Sequence, residues 1–202
     1  MATPIDRREA IRRVSLMLGG ATLVGGSGLL TACEQGNRPA GSPPEGVGDF
    51  SAEQVAFLDE VAETILPETS TPGAKAAAVG AFMALMVTDT YSDEDQAIFR
   101  AGLTALDDES RTDHAMGFME AAPAQRLALL ERLDAAQFEH QAARGETGLP
   151  THYFRMMKQL TLLGYFTSEI GMTIAQNYVE SPGRFDPCVP YTAGERSWAG
   201  HA

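Results

Sequence analysis

Hydrophobic residues follow two different patterns along this chain. The first is one run, Val14 to Ala32, interrupted only by small and weakly polar residues and carrying Gly19, Gly20, Gly25, Gly26 and Gly28. The second starts near residue 50 and repeats every three to four positions, the spacing of a helix with one buried face. Val55, Leu58, Val61, Ala62 and Ile65 predict a first helix, opened by a capping box at Ser51–Gln54 and stopped by Pro67. A second helix is expected from about Ala74 to Thr90, with Val79, Phe82, Met83 and Met86 inward. Ser92, followed by Asp93, Glu94 and Asp95, caps a third, where acidic residues suit the positive end of the helix dipole. Residues 113–122 read as one short helix carrying Met116, Phe118 and Met119. Pro123 opens a fourth long helix through Leu129, Leu130 and Leu133, with Gly145 as its expected stop. The longest helical stretch is expected from Thr151 to about Val179, apolar around almost its whole circumference. Beyond Ser181, prolines and glycines predict an extended tail. No alternating strand pattern is present, so the expected fold is all-α: a small bundle of about five helices with an irregular Pro/Gly-rich C-terminal tail.

The boundaries between these patterns set the organisation. Residues 1–32 read as an export signal, 33–49 as a flexible tether rich in Gly, Pro, Ser and Asn, and 50–202 as the helical domain. Arg7 and Arg8 stand just ahead of the weakly apolar run, which ends in Leu30-Thr31-Ala32-Cys33. Paired arginines before such a run make a twin-arginine signal, a route that carries proteins already folded. Small residues before a cysteine make a lipoprotein cleavage box, with Cys33 as the lipidated residue. The competing reading is an uncleaved membrane helix, since the run is long enough to span a hydrocarbon core of roughly 30 Å. Either reading puts the domain on the periplasmic side of a membrane.

Charge and cysteines narrow the picture. The chain has 15 Lys+Arg against 27 Asp+Glu, a net charge of −12. Loss of the signal removes Arg7, Arg8, Arg12 and Arg13 with Asp6 and Glu9, so the mature chain is more acidic still. Such a surface disfavours nucleic acid and anionic lipid as partners, and membrane attachment falls to the lipid on Cys33. With Cys33 lipidated, Cys188 is alone in an oxidising compartment. It is a candidate for an intersubunit disulfide, or else an inert thiol.

Catalytic and metal motifs are absent from the sequence. His114, His140, His152 and His201 lack the spacing of a metal pair, and no Cys-x-x-Cys-His site for haem occurs. There is no Gly-x-Ser-x-Gly elbow. Neither a catalytic nor a metal site is expected, and no cofactor is expected on this chain. Glu169 stands out within the most apolar segment. It reads as a buried glutamate held by hydroxyls or by a partner's arginine, or alternatively as a catalytic carboxylate. Gly164 and Gly171, seven residues apart, are expected to share one helix face and allow close approach.

The stretch Leu160-Thr161-Leu162-Leu163-Gly164-Tyr165-Phe166-Thr167-Ser168-Glu169-Ile170-Gly171, then Pro182-Gly183-Arg184-Phe185 and Cys188-Val189-Pro190, resembles the small subunit (subunit 3) of gluconate 2-dehydrogenase. Ile65-Leu66-Pro67, Thr71-Pro72-Gly73-Ala74 and the Asp6-Arg7-Arg8 signal resemble it too. The resemblance implies an accessory subunit without chemistry of its own. Its partner would be a large FAD-dependent dehydrogenase of the glucose–methanol–choline type, and a multihaem cytochrome c would take the electrons. The small subunit would help the flavoprotein to fold and to leave the cytoplasm. The Cys33 lipobox departs from the simplest family pattern and adds a membrane anchor. Tyr165, Phe166, Glu169, Phe185, Tyr191 and Trp198 are the expected partner interface, on the long helix and tail; the same aromatics would also serve a tail packed on its own bundle. A stand-alone envelope lipoprotein is the alternative function, and a small enzyme using Glu169 a third.

Overall fold

The computed structural model describes residues 46–147, 149–181, 183–184, 188 and 190–199. Five α-helices follow in order: α1 Ala52–Ile65, α2 Val79–Thr90, α3 Asp93–His114, α4 Pro123–Thr147 and α5 Tyr153–Thr167, with a π-turn at Gly171–Ala175. Among the described residues there is no strand, only two isolated bridges, Val47–Phe50 and Asn177–Trp198. The all-α bundle of about five helices is therefore what the chain forms. The expected signal, with Arg7, Arg8 and Cys33, lies outside the described residues, as does Phe185. None of the described helices is long and apolar enough to cross a membrane.

Local chemistry starts and stops the helices. The capping box forms in both directions, Gln54 N–H to Ser51 Oγ at 3.3 Å and Ser51 N–H to Gln54 Oε1 at 2.9 Å. Just before it, residues 46–49, expected in the tether, already belong to the fold. Asp49 N–H donates to Thr88 Oγ1, Arg100 donates to the Asp49 carbonyl, and Phe50 is buried. After α1, the Glu63 carboxylate takes the N–H groups of Glu68 and Lys75, both at 2.8 Å, and so gathers the Pro67–Gly73 loop. Helix α2 begins at Val79 and not at Ala74, because Ala78 turns left-handed at φ 52°.

Helix α3 starts on Ser92 and runs to His114, further than its apolar stripe suggested, ending at left-handed Ala115. The short helix expected over 113–122 does not form. Asp107 and Ser110 on α3 compete for that backbone: Asp107 Oδ1 accepts the Phe118 N–H at 2.8 Å, and Ser110 Oγ donates to the Met116 carbonyl at 3.0 Å. Helix α4 opens at Pro123 as expected but passes through Gly145 to Thr147.

Helix α5 packs against all four others, so the last helix in the chain is the centre of the bundle. Phe154, Met157, Leu160 and Tyr165 on it are buried, facing Leu58, Met83, Phe99 and Leu106 of the same core. Each such side chain contributes roughly 1.5–3 kcal/mol on leaving water.

Candidate interaction surface

The chain changes direction after Thr167, where one long helix to Val179 was expected. Ser168 has extended backbone, φ −74° and ψ 160°. Its hydroxyl donates to the Tyr165 carbonyl at 2.7 Å and accepts the Gly171 N–H at 3.0 Å. One side chain thus closes α5 and caps the turn that follows. Gly171 sits directly against that helix end: a Cβ on it would lie 1.9 Å from the Tyr165 carbonyl oxygen. Only glycine fits there. The π-turn then closes with Gln176 N–H on the Gly171 carbonyl. Gly164 and Gly171 therefore do not share a helix face. Gly164 admits the Phe82 ring from α2, while Gly171 admits the backbone of its own preceding helix.

The interface residues expected on this stretch divide between core and surface. Tyr165 is buried at 4 % exposure, and its hydroxyl donates to the Pro72 carbonyl at 2.7 Å, 93 residues away in sequence. Its ring belongs to the core, because α5 turns that side toward α2 and the α1–α2 loop. Glu169 is exposed and not buried, because the break at Ser168 releases it from the helix that would have carried it inward. Phe166 is accessible, at 39 %.

The tail returns to the bundle. Asn177 N–H donates to the Ser197 carbonyl at 2.8 Å, and Ala199 N–H donates to the Asn177 carbonyl at 2.9 Å. Asn177 Nδ2 adds a bond to the Arg196 carbonyl, and the Arg196 guanidinium reaches the Ile174 carbonyl at 2.8 Å. Ala199 is buried. These bonds close a loop from Asn177 to Trp198 whose ends are adjacent. Tyr191 and Trp198 nonetheless stay on the surface, 76 % and 55 % exposed. Cys188 lies in the same loop with an exposed thiol and no disulfide among the described residues.

Leu162 and Leu163 join Phe166 on the outer side of α5, and Ile174, Tyr178 and Val179 are exposed on the segment after it. Apart from Phe166, an expected interface residue, the sequence pattern marked these only as apolar helix positions. A second signal was available in the charges. Residues 46–147 hold 19 acidic and six basic residues; residues 148–202 hold four of each. The acidic excess of the domain thus lies in residues 46–147, where Leu85, Leu127 and Phe138 are also exposed, and the stretch carrying most of the exposed large apolar side chains is neutral. Depleted charge with aromatic enrichment is the composition of an interface core.

Other concave or polar features are occupied by the protein's own groups. A groove of about 470 Å³ between α1 and α4 is lined by Glu60, Glu63, Pro67, Pro123, Arg126 and Leu127. Glu60 is engaged by Lys75 at 2.9 Å and by Arg126, and burial's upward push on its pKa is outweighed by these two cations, which hold it below the ordinary range. Asp59, partly buried, accepts the Gly80 N–H at 2.8 Å, and burial raises its pKa. Of the histidines, His140 and His152 meet across the α4–α5 connection with ring centroids 5.4 Å apart. Among the described residues no group of three or more His, Cys, Asp or Glu side chains is placed to hold a metal ion.

No curated protein and no solved structure matches the chain. The family model for gluconate 2-dehydrogenase subunit 3 matches residues 52–183, which runs from the first residue of α1 through the π-turn and into the closed loop. With its five helices and the Ser168–Gly171 turn inside that match, the chain belongs to the gluconate 2-dehydrogenase subunit 3 family.

Proposed function

We propose that this protein is the non-catalytic small subunit of a periplasmic, FAD-dependent dehydrogenase complex acting on a sugar or alcohol. Its partner is a large flavoprotein of the glucose–methanol–choline type, which holds the FAD; a multihaem cytochrome c subunit accepts the electrons. The small subunit supports folding of the flavoprotein and takes it through the twin-arginine route on Arg7 and Arg8. The lipid on Cys33 keeps the assembly at the membrane.

The observation that carries this reading is the set of exposed apolar side chains in the neutral C-terminal stretch, Leu162, Leu163 and Phe166 on α5 and Tyr191 and Trp198 in the closed loop, on a domain that is otherwise strongly acidic. It supports a lasting protein partner, because large apolar side chains concentrated in one stretch are costly to leave in water. Family membership supplies the kind of partner: a catalytic dehydrogenase subunit. Cys188, exposed in the same loop, is the proposed covalent link to that subunit.

Purification from the native host tests the reading. The expected result is a stoichiometric larger partner with a flavin absorption spectrum. A monomeric, colourless protein would overturn it. On a non-reducing gel the complex should give a heavier band that a Cys188→Ser variant lacks; no shift would remove the disulfide from the proposal.

A further inference from the structure

The α4–α5 connection places two imidazoles in unequal roles. His152 is the N-cap of α5, and its Nδ1 accepts the Phe154 N–H at 3.2 Å. An acceptor nitrogen carries no proton, so this His152 is neutral with its proton on Nε2. His140 Nε2 lies 2.8 Å from the Pro150 carbonyl, an acceptor, so that nitrogen is the donor. His140 keeps its bond whether neutral or cationic. His152 does not: a proton on Nδ1 would face the Phe154 N–H, donor against donor, and the cap would be lost.

The surroundings reinforce the asymmetry. The His152 ring is stacked on Tyr153 at 4.8 Å and faces His140 of α4 edge-on. Burial, then the charge of His140, hold its pKa below the ordinary 6.5, and Glu109 of α3 pulls the other way. Glu109 is itself shared between the Tyr153 hydroxyl at 3.2 Å and Arg132 of α4 at 2.9 Å, which itself also pairs with Asp113. Arg144 of α4 donates to the Leu149 carbonyl at 2.6 Å and so ties the same connection from its other side.

We infer that the His140–His152 pair is an acid-sensitive latch on the first turn of α5: neutral His152 fastens the helix start, and its protonation releases it while Pro150 stays held by His140. The direction follows from linkage. A group that binds its proton less readily when folded contributes stability above the unfolded value near 6.5, and that contribution is lost as the pH falls through the folded value. The turn that opens begins the helix that every other α-helix packs against.

Amide hydrogen exchange on the full chain between pH 7.5 and 5, corrected for the intrinsic rate, tests the latch. The expected result is a fall in protection confined to residues 154–156, about fivefold, which is the loss of one N-cap. His152→Asn supplies a cap that does not titrate and should hold protection constant over the same range. His140→Gln keeps a donor for Pro150 but removes the second positive charge, so the transition should move to higher pH. The latch is overturned if wild-type protection at residues 154–156 is flat with pH, or if His152→Asn shows the same fall as wild type.

Discussion

At Gly171 a single missing Cβ decides how the chain leaves α5. The 1.9 Å approach to the Tyr165 carbonyl leaves no room for alanine, and backbone does not yield as a side chain would. Gly171→Ala is expected to cost more than about 3 kcal/mol or to prevent folding, read as the denaturant midpoint. Ser168→Ala removes one cap hydroxyl and should cost about 1 kcal/mol in the same measurement. Tyr165→Phe loses only the bond to Pro72 and should cost a similar amount, without moving the ring from the core. These three residues lie in the stretch that carries the resemblance to the family. Their chemistry is architectural: they set a turn and fasten a loop, and none presents a reactive group. This is why Glu169, conspicuous in an apolar setting, ends up on the surface.

The helices differ in how openly the sequence declares them. Starts were legible where one side chain makes them: Ser51 with Gln54, Ser92 with its acidic turn, Pro123 at the first position of α4. Ends set by tertiary partners were not. Ile170, Met172 and Ile174 continue a helical spacing while the backbone has already left the helix, because the Ser168–Gly171 contact is made in space and not by periodicity. The segment after α3 failed in the same way, since Asp107 takes the Phe118 N–H that a new helix would have used. Helix α1 is joined to α4 by Glu60, which Arg126 and Lys75 hold ionised. Its depressed pKa means that this contribution is complete above about pH 4.5 and is lost as the pH falls through the folded value. Glu60→Gln should therefore cost about 2 kcal/mol at neutral pH and flatten the acid limb of a stability–pH curve. Urea melts at pH 7 and pH 3.5 measure both effects.

On the scale of the molecule, charge and much of the exposed apolar surface are separated along the chain, although Leu85, Leu127 and Phe138 are exposed on the acidic helices. The helices α1–α4 carry the acidic excess, and the neutral C-terminal part carries most of the large exposed apolar side chains. A double variant, Leu163→Asp with Trp198→Ala, should weaken recovery of the flavin-bearing partner at least tenfold. Its melting temperature should fall by less than about 5 °C, since Leu163 and Trp198 are 46 % and 55 % exposed and only part of each side chain is packed. The same separation explains which part of the candidate surface was visible beforehand. Tyr191 and Trp198, in a segment that cannot be helical, were legible as surface candidates; Leu162 and Leu163 were hidden among core residues of the same helix. Phe166 and Tyr165 are neighbours in sequence with rings in edge-to-face contact at 5.2 Å, yet only Tyr165 is buried, a distinction that requires the helix packing to be known.

The central position of α5 has a consequence for synthesis. The ribosome makes α1 to α4 first, and although α1 and α2 can pair, the core they share with α3 and α4 is not complete until residues 153–167 have emerged. The Pro72 carbonyl waits for Tyr165 over 93 residues. Contacts of this sequence separation make closure a late event, and a nascent chain in that interval displays the surface that chaperones recognise. The last quarter of the polypeptide thus times the folding of the first three, and chains truncated before residue 167 should be cleared by proteolysis and not accumulate.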